Sequence, residues 1–292
     1  MKKVKLKTIS IQGIKGAFHE IAARTYFKDE EIIIVECDTF KEVVNTVKSG
    51  ISEFGIIAIE NSIAGSILPN YKIIQESNLN ITGEIFIPIQ QNLLALSGQK
   101  IEDLTEVYSH PMAIQQCEEF FVLHPYIKII ESIDTALSAK KIKEEGIAGR
   151  GAIASKLAAS IYGLDIIAES IETNKRNYTR FLIVEERHTF KTSDVSDKID
   201  KSSICFSLTH EFGSLSKVLS VLAFYNLNLT KIQSMPIIGK EWQYFFHIDL
   251  VFDNYKRYKQ ALNAIEPLTN NIEILGEYHS YDKLNEILSN KD

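Results

Sequence analysis

The sequence predicts an α/β protein with two domains. Strand-like and helix-like segments alternate through residues 1–185, which is typical of a mostly parallel sheet flanked by helices. The stretch 186–201, ERHTFKTSDVSDKIDK, is polar and lacks a sustained apolar face, so it is interpreted as a linker. Residues 202–280 follow the order βαββαβ of a ferredoxin-like domain, and 281–292 remain as a C-terminal tail.

The spacing of apolar residues predicts each element. Apolar and polar residues alternate over 4–11, which indicates a strand, and residues from Phe18 to Tyr26 recur at helical spacing after Gly13 and Gly16. The other elements of the first domain are strands over 54–59, 84–96 and 179–185 and helices over 112–123, 134–145 and 152–162. Those of the second domain are strands over 202–210, 228–237, 242–252 and 271–280 and helices over 214–225 and 255–268.

Composition limits the classes of function. With 292 residues, of which 45% are hydrophobic, the chain is long enough for two domains with cores of their own. A formal charge of −6 argues against a non-specific nucleic-acid binder, which needs a basic face. The apolar runs are too short for a membrane span, and no signal-peptide pattern follows the N-terminal lysines, so we expect a cytoplasmic location. Three widely spaced cysteines without a CxxC pair predict no structural metal site.

Polar residues cluster where the strand over 54–59 ends. Glu60, Asn61 and Ser62 come directly after it, and Gly65 follows. Ligands bind outside the carboxyl ends of strands in open α/β sheets, so this cluster is a candidate binding site. The alternative is that Asn61 or Ser62 caps a helix, which the residues alone slightly favour.

The segment Gly13-Ile14-Lys15-Gly16 lies between a predicted strand and a predicted helix. Its backbone N–H groups either form an anion cradle at the helix start or belong to a plain tight turn. The spacing matches neither the dinucleotide-binding nor the Walker pattern, so a nucleotide site of those kinds is not predicted.

A third candidate segment, Tyr108-Ser109-His110-Pro111, precedes a predicted helix. Ser109 and Gln116 are seven residues apart, so both side chains lean toward one side of that helix and its N-terminus. The alternative is an ordinary helix with a proline at its first position and a serine cap. No metal-ligand set and no Ser-His-Asp triad can be assembled from the sequence.

The last strand of the first domain begins with NYTRF at 177–181. Lys175, Arg176 and Arg180 form the densest positive cluster before the linker. Thr179, flanked by arginine, is placed to donate a hydrogen bond to an anionic substrate. A β-branched residue at the start of a strand is equally ordinary.

Taken together, these segments resemble the prephenate dehydratase family, and ENS and TRF are the most specific of them. The matching segments, in the family's order and spacing, are GIKGAF at 13–18, AIENSIAGSI at 58–67, YSHP at 108–111, QQC at 115–117, DTA at 134–136, AIASKLAASIYGL at 152–164 and NYTRF at 177–181. Residues 202–280 resemble the ACT regulatory domain that usually follows, through FGSLSKVL at 212–219 and NLTKIQSMP at 228–236.

The resemblance implies a catalytic domain of two α/β lobes over 1–185, like a type II periplasmic binding protein, with the site in the cleft. It implies conversion of prephenate to phenylpyruvate, water and carbon dioxide in L-phenylalanine biosynthesis. The implied catalytic residues are Thr179, Glu60, Asn61, Ser109 and Gln116, and the implied substrate-binding residues are Ser62, Gly65, Arg180, Phe181, Thr135 and Ala154. Aromatisation drives the reaction, so no cofactor is expected. Thr179 and Glu60 both remain candidates for the proton donor.

The resemblance also implies feedback inhibition by L-phenylalanine and pairing of ACT domains into a homodimer or homotetramer. The implied effector residues are Gly213, Ser214, Leu215, Asn228, Gln233, Ser234 and Met235. Gln233 and Met235 replace a glutamate and an arginine of the family pattern, so weaker L-phenylalanine binding is expected. Gln91 stands where the family commonly has histidine.

Two other functions remain open. The first is arogenate as the substrate, which the sequence does not distinguish from prephenate. The second is a non-catalytic, two-lobed small-molecule sensor with an ACT domain. Thr179 and the ENS cluster argue against the sensor, which has no need of a proton-donor set.

Overall fold

The computed structural model describes residues 6–187 and 199–281. The chain divides into two compact units, which consist of Met1–Ile67 with Ile85–Phe181 and of Leu68–Glu84 with Leu182–Asp292. Within the described ranges, no helix combines the length and the apolar character needed to cross a membrane.

Strands and helices alternate along most of the chain. The strands are β1 (Lys7–Gln12), β2 (Ile32–Cys37), β3 (Phe54–Asn61), β4 (Gly65–Ser66), β5 (Leu79–Pro88), β6 (Asn92–Ala95), β7 (Glu106–Ser109), β8 (Lys128–Glu131), β9 (Arg150–Ala154), β10 (Asp165–Ala168), β11 (Tyr178–Glu186), β12 (Lys201–Ser207), β13 (Asn228–Pro236), β14 (Tyr244–Val251) and β15 (Asn270–Tyr278). The α-helices are α1 (Phe18–Tyr26), α2 (Phe40–Lys48), α3 (Leu68–Ser77), α4 (Pro111–Gln116), α5 (Glu118–Val122), α6 (Thr135–Glu145), α7 (Lys156–Tyr162), α8 (Ser214–Phe224) and α9 (Tyr255–Ile265).

Two sheets organise the first unit, and each is the centre of one lobe. In the first lobe, β1 lies between β2 and β3 and runs parallel to both, and β11 is the next strand beyond β3. In the second lobe the strand order is β10-β6-β9-β7-β8. Here β7 is parallel to β8 and β9, whereas β6 is antiparallel to β9 and β10. The α/β class is confirmed, but the sheet of the second lobe is mixed and not mostly parallel as predicted.

The Ala-rich segment over 152–162 is not one helix as predicted. Residues up to Ala154 form β9, and α7 begins only after Ser155, whose side chain accepts a hydrogen bond from the Ala158 N–H. β9 is buried on both faces, since Ala152 packs in one apolar cluster and Ile153 in another. Tertiary burial between β6 and β7 therefore overrides the helix propensity of alanine.

Two further predicted elements are each divided. The strand predicted over 84–96 is interrupted between Pro88 and Asn92, which separates β5 from β6. The helix predicted over 112–123 breaks at Cys117, where the backbone leaves the helical region with φ −107° and ψ 15°. Burial raises the pKa of the Cys117 thiol to about 12, so this cysteine is a neutral core residue.

The second unit contains the predicted βαββαβ segment, and the strand order there is β13-β14-β12-β15. All pairs among these strands are antiparallel. Helices α8 and α9 cover one face, where Phe206, Val218, Leu250 and Tyr258 are buried together. The ferredoxin-like arrangement is therefore confirmed.

Buried polar side chains occupy the opposite face of this sheet. Lys201, which the sequence placed in the linker, begins β12, and its Nζ lies 2.8 and 2.9 Å from the two carboxylate oxygens of Glu84 on β5. Ser203 Oγ donates a 2.6 Å hydrogen bond to Asp249 Oδ1. Burial lowers the pKa of His247 to about 4, so its imidazole is neutral at pH 7. An ion pair and hydrogen bonds thus pair several of the buried polar side chains on this face.

Candidate active site

Asn61, the last residue of β3, links two parts of the first unit. Its Oδ1 accepts hydrogen bonds from the backbone N–H groups of Ile63 at 3.0 Å and Ala64 at 2.9 Å. Its Nδ2 lies 3.0 Å from Thr179 Oγ1 and 2.7 Å from Asn177 Oδ1. Backbone N–H groups can only donate, so the atom of the Asn61 amide that faces Ile63 and Ala64 must be the oxygen. The nitrogen of that amide therefore faces Thr179 and Asn177. Asn61 caps a turn, and the alternative of a helix cap is wrong, because α3 begins only after β4.

Thr179 is therefore the acceptor in its hydrogen bond with Asn61. Over the described ranges, no protein atom accepts the proton of the Thr179 hydroxyl. The residue is 9% exposed, at the start of β11. Asn61 thus holds the Thr179 oxygen in place, while the hydroxyl proton of Thr179 is available to a bound molecule.

Ser62 ties the turn after β3 to the segment before β11. Its Oγ donates to the Arg176 carbonyl oxygen at 3.1 Å and accepts from the Tyr178 N–H at 2.9 Å. The Ser62 N–H donates to the Tyr178 carbonyl oxygen at 2.8 Å. These three hydrogen bonds hold the backbone next to Asn61 against the backbone next to Thr179.

Side chains alternate along β11, so Phe181 shares a face with Thr179 and Arg180 lies on the other face. Phe181 is buried and meets His19 edge-on, with ring centroids 5.0 Å apart. Burial lowers the pKa of His19 to about 4, which keeps its ring neutral. Arg180 is also buried, and its guanidinium carbon lies 6.0 Å from the centre of the Phe86 ring.

The positive cluster predicted before the linker is dispersed. Lys175 Nζ donates to the backbone carbonyl oxygens of Ser170 and Glu172. Arg176 is exposed, whereas Arg180 is buried beside an aromatic ring. The three cations therefore lie in different environments, one bonded to backbone carbonyl oxygens, one exposed and one buried.

In the second lobe, Ser109 and Gln116 have separate partners. Ser109 ends β7, is fully buried, and donates from Oγ to the Ile153 carbonyl oxygen at 2.8 Å. Gln116 ends α4, and its Oε1 accepts from Gln91 Nε2 at 3.2 Å. Gln91 in turn donates its backbone N–H to the buried Glu172 carboxylate at 2.8 Å. Across the described chain, no hydrogen bond joins Ser109 to Gln116.

The start of α4 also differs from the prediction. His110, and not Ser109, is the N-cap, because His110 Nδ1 accepts from the Met112 N–H at 3.2 Å. Pro111 occupies the first turn as expected. The Ser109 side chain is thereby left to bond β9.

The segment between Gly13 and Gly16 is a tight turn and not an anion cradle. The Lys15 N–H donates to Glu36 Oε1 at 2.9 Å, and the Gly16 N–H donates to Glu20 Oε2 at 2.6 Å. Both groups are thus occupied by carboxylates of the protein itself. Gly16, at φ +93°, also lies so close to α7 that an added Cβ would be 2.8 Å from the Ala158 Cα.

The remaining implied residues lie at strand or helix ends of the first unit. Glu60 pairs with Ser66 in the β3–β4 ladder, and Gly65, at φ +81°, is exposed in β4. Thr135 is the first residue of α6 and is half-buried, while Ala154 is fully buried at the end of β9. Burial raises the pKa of Asp134, the N-cap of α6. Within the described residues, no hydrogen bond joins the Thr135 side chain to Thr179.

The implied effector residues lie in the second unit. Gly213 is the N-cap of α8 with φ +76°, and nothing lies within 4 Å of the position a Cβ would take. Leu215 packs against the apolar core, and Ser214 Oγ donates to the Glu211 carbonyl oxygen. Along β13 the residues alternate between half-buried and exposed, and the implied effector positions there are Asn228, Gln233, Ser234 and Met235. Gln233 and Met235 are paired with His247 and Phe245 of β14, on the face away from α8.

The fold is that of a two-lobed α/β protein, and both lobes carry amide or hydroxyl side chains at strand ends. No group of three possible metal ligands occurs among residues 6–187 and 199–281. The model of the prephenate dehydratase family matches residues 9–189, and the chain belongs to that family. It is accordingly a dehydratase, a carbon–oxygen lyase, as the sequence predicted.

Curated relatives match over most of the chain. It is 35% identical over 275 residues to the bifunctional chorismate mutase/prephenate dehydratase of Buchnera aphidicola, covering 93% of this chain and 70% of the relative. It is 34% identical over 288 residues to arogenate dehydratase 2 of Petunia hybrida, covering 93% of this chain and 71% of that protein. Relatives therefore bear the names of dehydratases for both substrates.

Solved structures share the fold. The prephenate dehydratase of Arthrobacter aurescens in complex with L-Phe superposes with a TM-score of 0.82 at 27% identity, covering 94% of this chain and 91% of that chain. GqqA, described as a novel type of quorum quenching acylase, superposes with a TM-score of 0.85 at 28% identity, covering 94% and 98%. The two-lobed fold with its ferredoxin-like domain is thus shared by proteins described with different activities.

Proposed function

We propose that the enzyme acts on prephenate and that Thr179 donates a hydrogen bond to the departing hydroxyl. The observation that carries this assignment is the direction of the Asn61–Thr179 hydrogen bond. Asn61 Nδ2 donates to Thr179 Oγ1 at 3.0 Å, which holds the oxygen and leaves the hydroxyl proton for the substrate. Asn61 then acts by orienting Thr179.

The chemistry of the reaction agrees with such a site. The ring carboxylate of the prephenate dianion leaves as carbon dioxide, and the hydroxyl across the ring takes up one proton and leaves as water. The product, phenylpyruvate, is a monoanion with an aromatic ring. A hydrogen-bond or proton donor at the departing hydroxyl contributes about 10²–10⁴-fold in rate. Hydroxyl and amide side chains supply this contribution without placing a negative charge beside a dianion.

The other implied residues have supporting roles in this proposal. Ser62, with both functions of its hydroxyl already used, holds the turn that carries Asn61. Phe181 and the neutral His19 form apolar surroundings on the face of β11 that carries Thr179. Gln116 presents an amide held by Gln91, and Glu60 is the alternative proton donor. On the family resemblance, Ser109 stays a candidate catalytic residue, and Gly65, Arg180, Thr135 and Ala154 stay candidate substrate-binding residues.

Incubation of the purified chain with prephenate at neutral pH, with detection of phenylpyruvate, tests the proposal. Parallel reactions with arogenate, followed by detection of phenylalanine, separate the two dehydratase substrates. Product above the uncatalysed rate from prephenate is expected. No turnover of either compound would instead favour the two-lobed sensor.

Nothing at Thr179 or Ser109 favours an acylase. An acylase that uses a hydroxyl nucleophile needs a base to activate it, usually a histidine. In the part of the chain that the structure describes, no imidazole is hydrogen-bonded to either hydroxyl. Thr179 is bonded to an amide and Ser109 to a backbone carbonyl, neither of which is a general base.

Activity is expected to survive exhaustive chelation. The reaction expels two neutral fragments and gains aromaticity, so it needs no Lewis acid to polarise a carbonyl or to ionise water. The measurement is phenylpyruvate formation before and after dialysis against EDTA. Loss of turnover that a single divalent metal restores would contradict this prediction.

We further propose that residues 202–280 act as an ACT domain that binds L-phenylalanine and inhibits the enzyme. The relative from Arthrobacter aurescens was solved with L-Phe. Gly213 supports the proposal, because its open, left-handed position lets a ligand approach the backbone before α8. Strand β13, at the edge of the sheet, is available for pairing into a homodimer or homotetramer. The cytoplasmic location remains a proposal from the sequence.

Met235→Arg is expected to tighten L-phenylalanine binding about tenfold. A charge-assisted hydrogen bond is worth roughly 1.5–3 kcal/mol, and about 1.4 kcal/mol corresponds to a factor of ten in affinity. Calorimetric titration of both proteins with L-phenylalanine, beside inhibition assays, measures the difference. If the affinity for L-phenylalanine is the same in both proteins, the arginine does not contribute to binding. If L-phenylalanine gives neither a heat of binding nor inhibition, the domain has no effector site for it.

A further inference from the structure

We propose that Asn177 is a positioning residue of the active site, which holds the Asn61 amide in the orientation that Thr179 requires. The inference rests on the dehydratase function proposed above and deepens it. Asn177 lies directly before β11, two residues from Thr179, and is 1% exposed.

The hydrogen-bond directions around Asn61 determine those around Asn177. Asn61 Oδ1 is occupied by two backbone N–H groups, so the group that faces Asn177 is the Nδ2 amide. At a separation of 2.7 Å, Asn177 must present its Oδ1 as the acceptor. The hydrogen bond from Asn61 therefore determines which end of the Asn177 amide is the oxygen and which is the nitrogen.

This orientation leaves the other end of the Asn177 amide without a partner. Its Nδ2 is buried and has no acceptor among the residues that the structure describes. A buried amide donor without an acceptor destabilises a protein and requires an explanation. The explanation offered by the geometry is that the carbonyl end is needed at Asn61.

The backbone of Asn177 is fixed independently of its side chain. Its carbonyl oxygen accepts from the Ile89 N–H at 2.8 Å, just after the end of β5. The chain of contacts thus runs from this anchored backbone through Asn177 Oδ1 and Asn61 Nδ2 to Thr179 Oγ1. Without the Asn177 oxygen, Asn61 Nδ2 keeps the Tyr178 carbonyl oxygen at 3.2 Å as its alternative acceptor and is free to turn toward it.

The choice of a neutral side chain fits an anionic substrate. An aspartate would offer the same acceptor oxygen and would remove the unpaired donor. It would also place a negative charge within two hydrogen bonds of the Thr179 hydroxyl, where a dianion would be repelled. An asparagine supplies the acceptor without that charge.

Steady-state kinetics with prephenate test the inference on the full chain. Asn177→Leu and Asn177→Ala are expected to lower kcat roughly 10–10²-fold with little change in KM, because a small displacement of a catalytic group has effects of that order. Asn177→Leu should keep or raise the thermal midpoint, since it removes a buried unpaired donor. Asn177→Asp keeps the acceptor, so we expect a smaller loss of kcat and a raised KM.

A matched control lies in the second unit. Asn80 is buried on β5, and its Nδ2 also has no acceptor within the described ranges. Asn80→Ala should leave kcat and KM as in the wild type. Equal losses of kcat in the Asn80 and Asn177 variants would overturn the inference.

A double-mutant cycle separates positioning from a merely structural role. In a Thr179→Val background, Asn177→Ala should change kcat by less than about twofold, because its effect acts through Thr179. Losses that multiply, or a wild-type kcat in the single variants, would overturn the inference while the proposed function stands. Absence of turnover in the wild-type chain would overturn the proposed function and this inference together.

Discussion

Thr179→Val is expected to lower kcat for prephenate about 10²–10⁴-fold while the protein remains folded. Valine keeps the branched shape of threonine and suits the strand, so the change removes little except the hydroxyl. That hydroxyl is held by Asn61 at 3.0 Å and is the donor proposed for the departing group. The measurement is kcat and KM for phenylpyruvate formation, with circular dichroism as the check on folding.

Two companion variants sharpen this experiment. Thr179→Ser keeps a hydroxyl at the same position and should retain much of the activity. Thr25→Val changes an exposed threonine on α1 and should leave turnover as in the wild type. If Thr179→Val turns over prephenate within a few-fold of the wild type, Thr179 is not the donor and Glu60 becomes the leading candidate.

Parts of the fold were predictable from the spacing of apolar residues in the sequence. The alternation of apolar and polar residues before Gly13 predicts β1, and the helical spacing from Phe18 to Tyr26 predicts α1. The sequence pattern predicts a helix at β9, because a strand that is covered on both faces shows no alternation of apolar and polar residues. Its alanines favour a helix locally, and only pairing with β6 and β7 decides otherwise.

The candidate site was predictable as a set of segments but not as a set of contacts. Asn61 and Thr179 are 118 positions apart, and nothing local indicates that one donates to the other. Arg180 and Thr179 are neighbours in the sequence, but alternation along a strand places their side chains on opposite faces of β11. The sequence does not single out Asn177 as a site residue, because Asn177 lies just before β11 and its contact with Asn61 joins residues 116 positions apart.

Lys201→Met is expected to destabilise the second unit by about 3–5 kcal/mol, because it leaves the Glu84 carboxylate buried without its cation. The side chains of Lys201 and Glu84 are only 6% and 1% exposed, so water cannot readily replace the lost partner. Denaturant unfolding followed by circular dichroism measures the loss.

The double variant Lys201→Met with Glu84→Gln should recover most of that stability, because glutamine carries no charge that would be buried without a partner. Glutamine also keeps an acceptor for the Tyr281 N–H, which donates to Glu84 Oε1 at 3.1 Å.

Lys156→Met is the control variant. Lys156 and Glu169 form an ion pair at 2.8 Å, and their side chains are 50% and 64% exposed. Such an exposed pair is worth about 0–1 kcal/mol. If Lys201→Met cost no more than Lys156→Met, the ion pair would not hold this face of the sheet. Recovery in the double variant, by contrast, would show that the cost of Lys201→Met is the isolated charge and not lost packing.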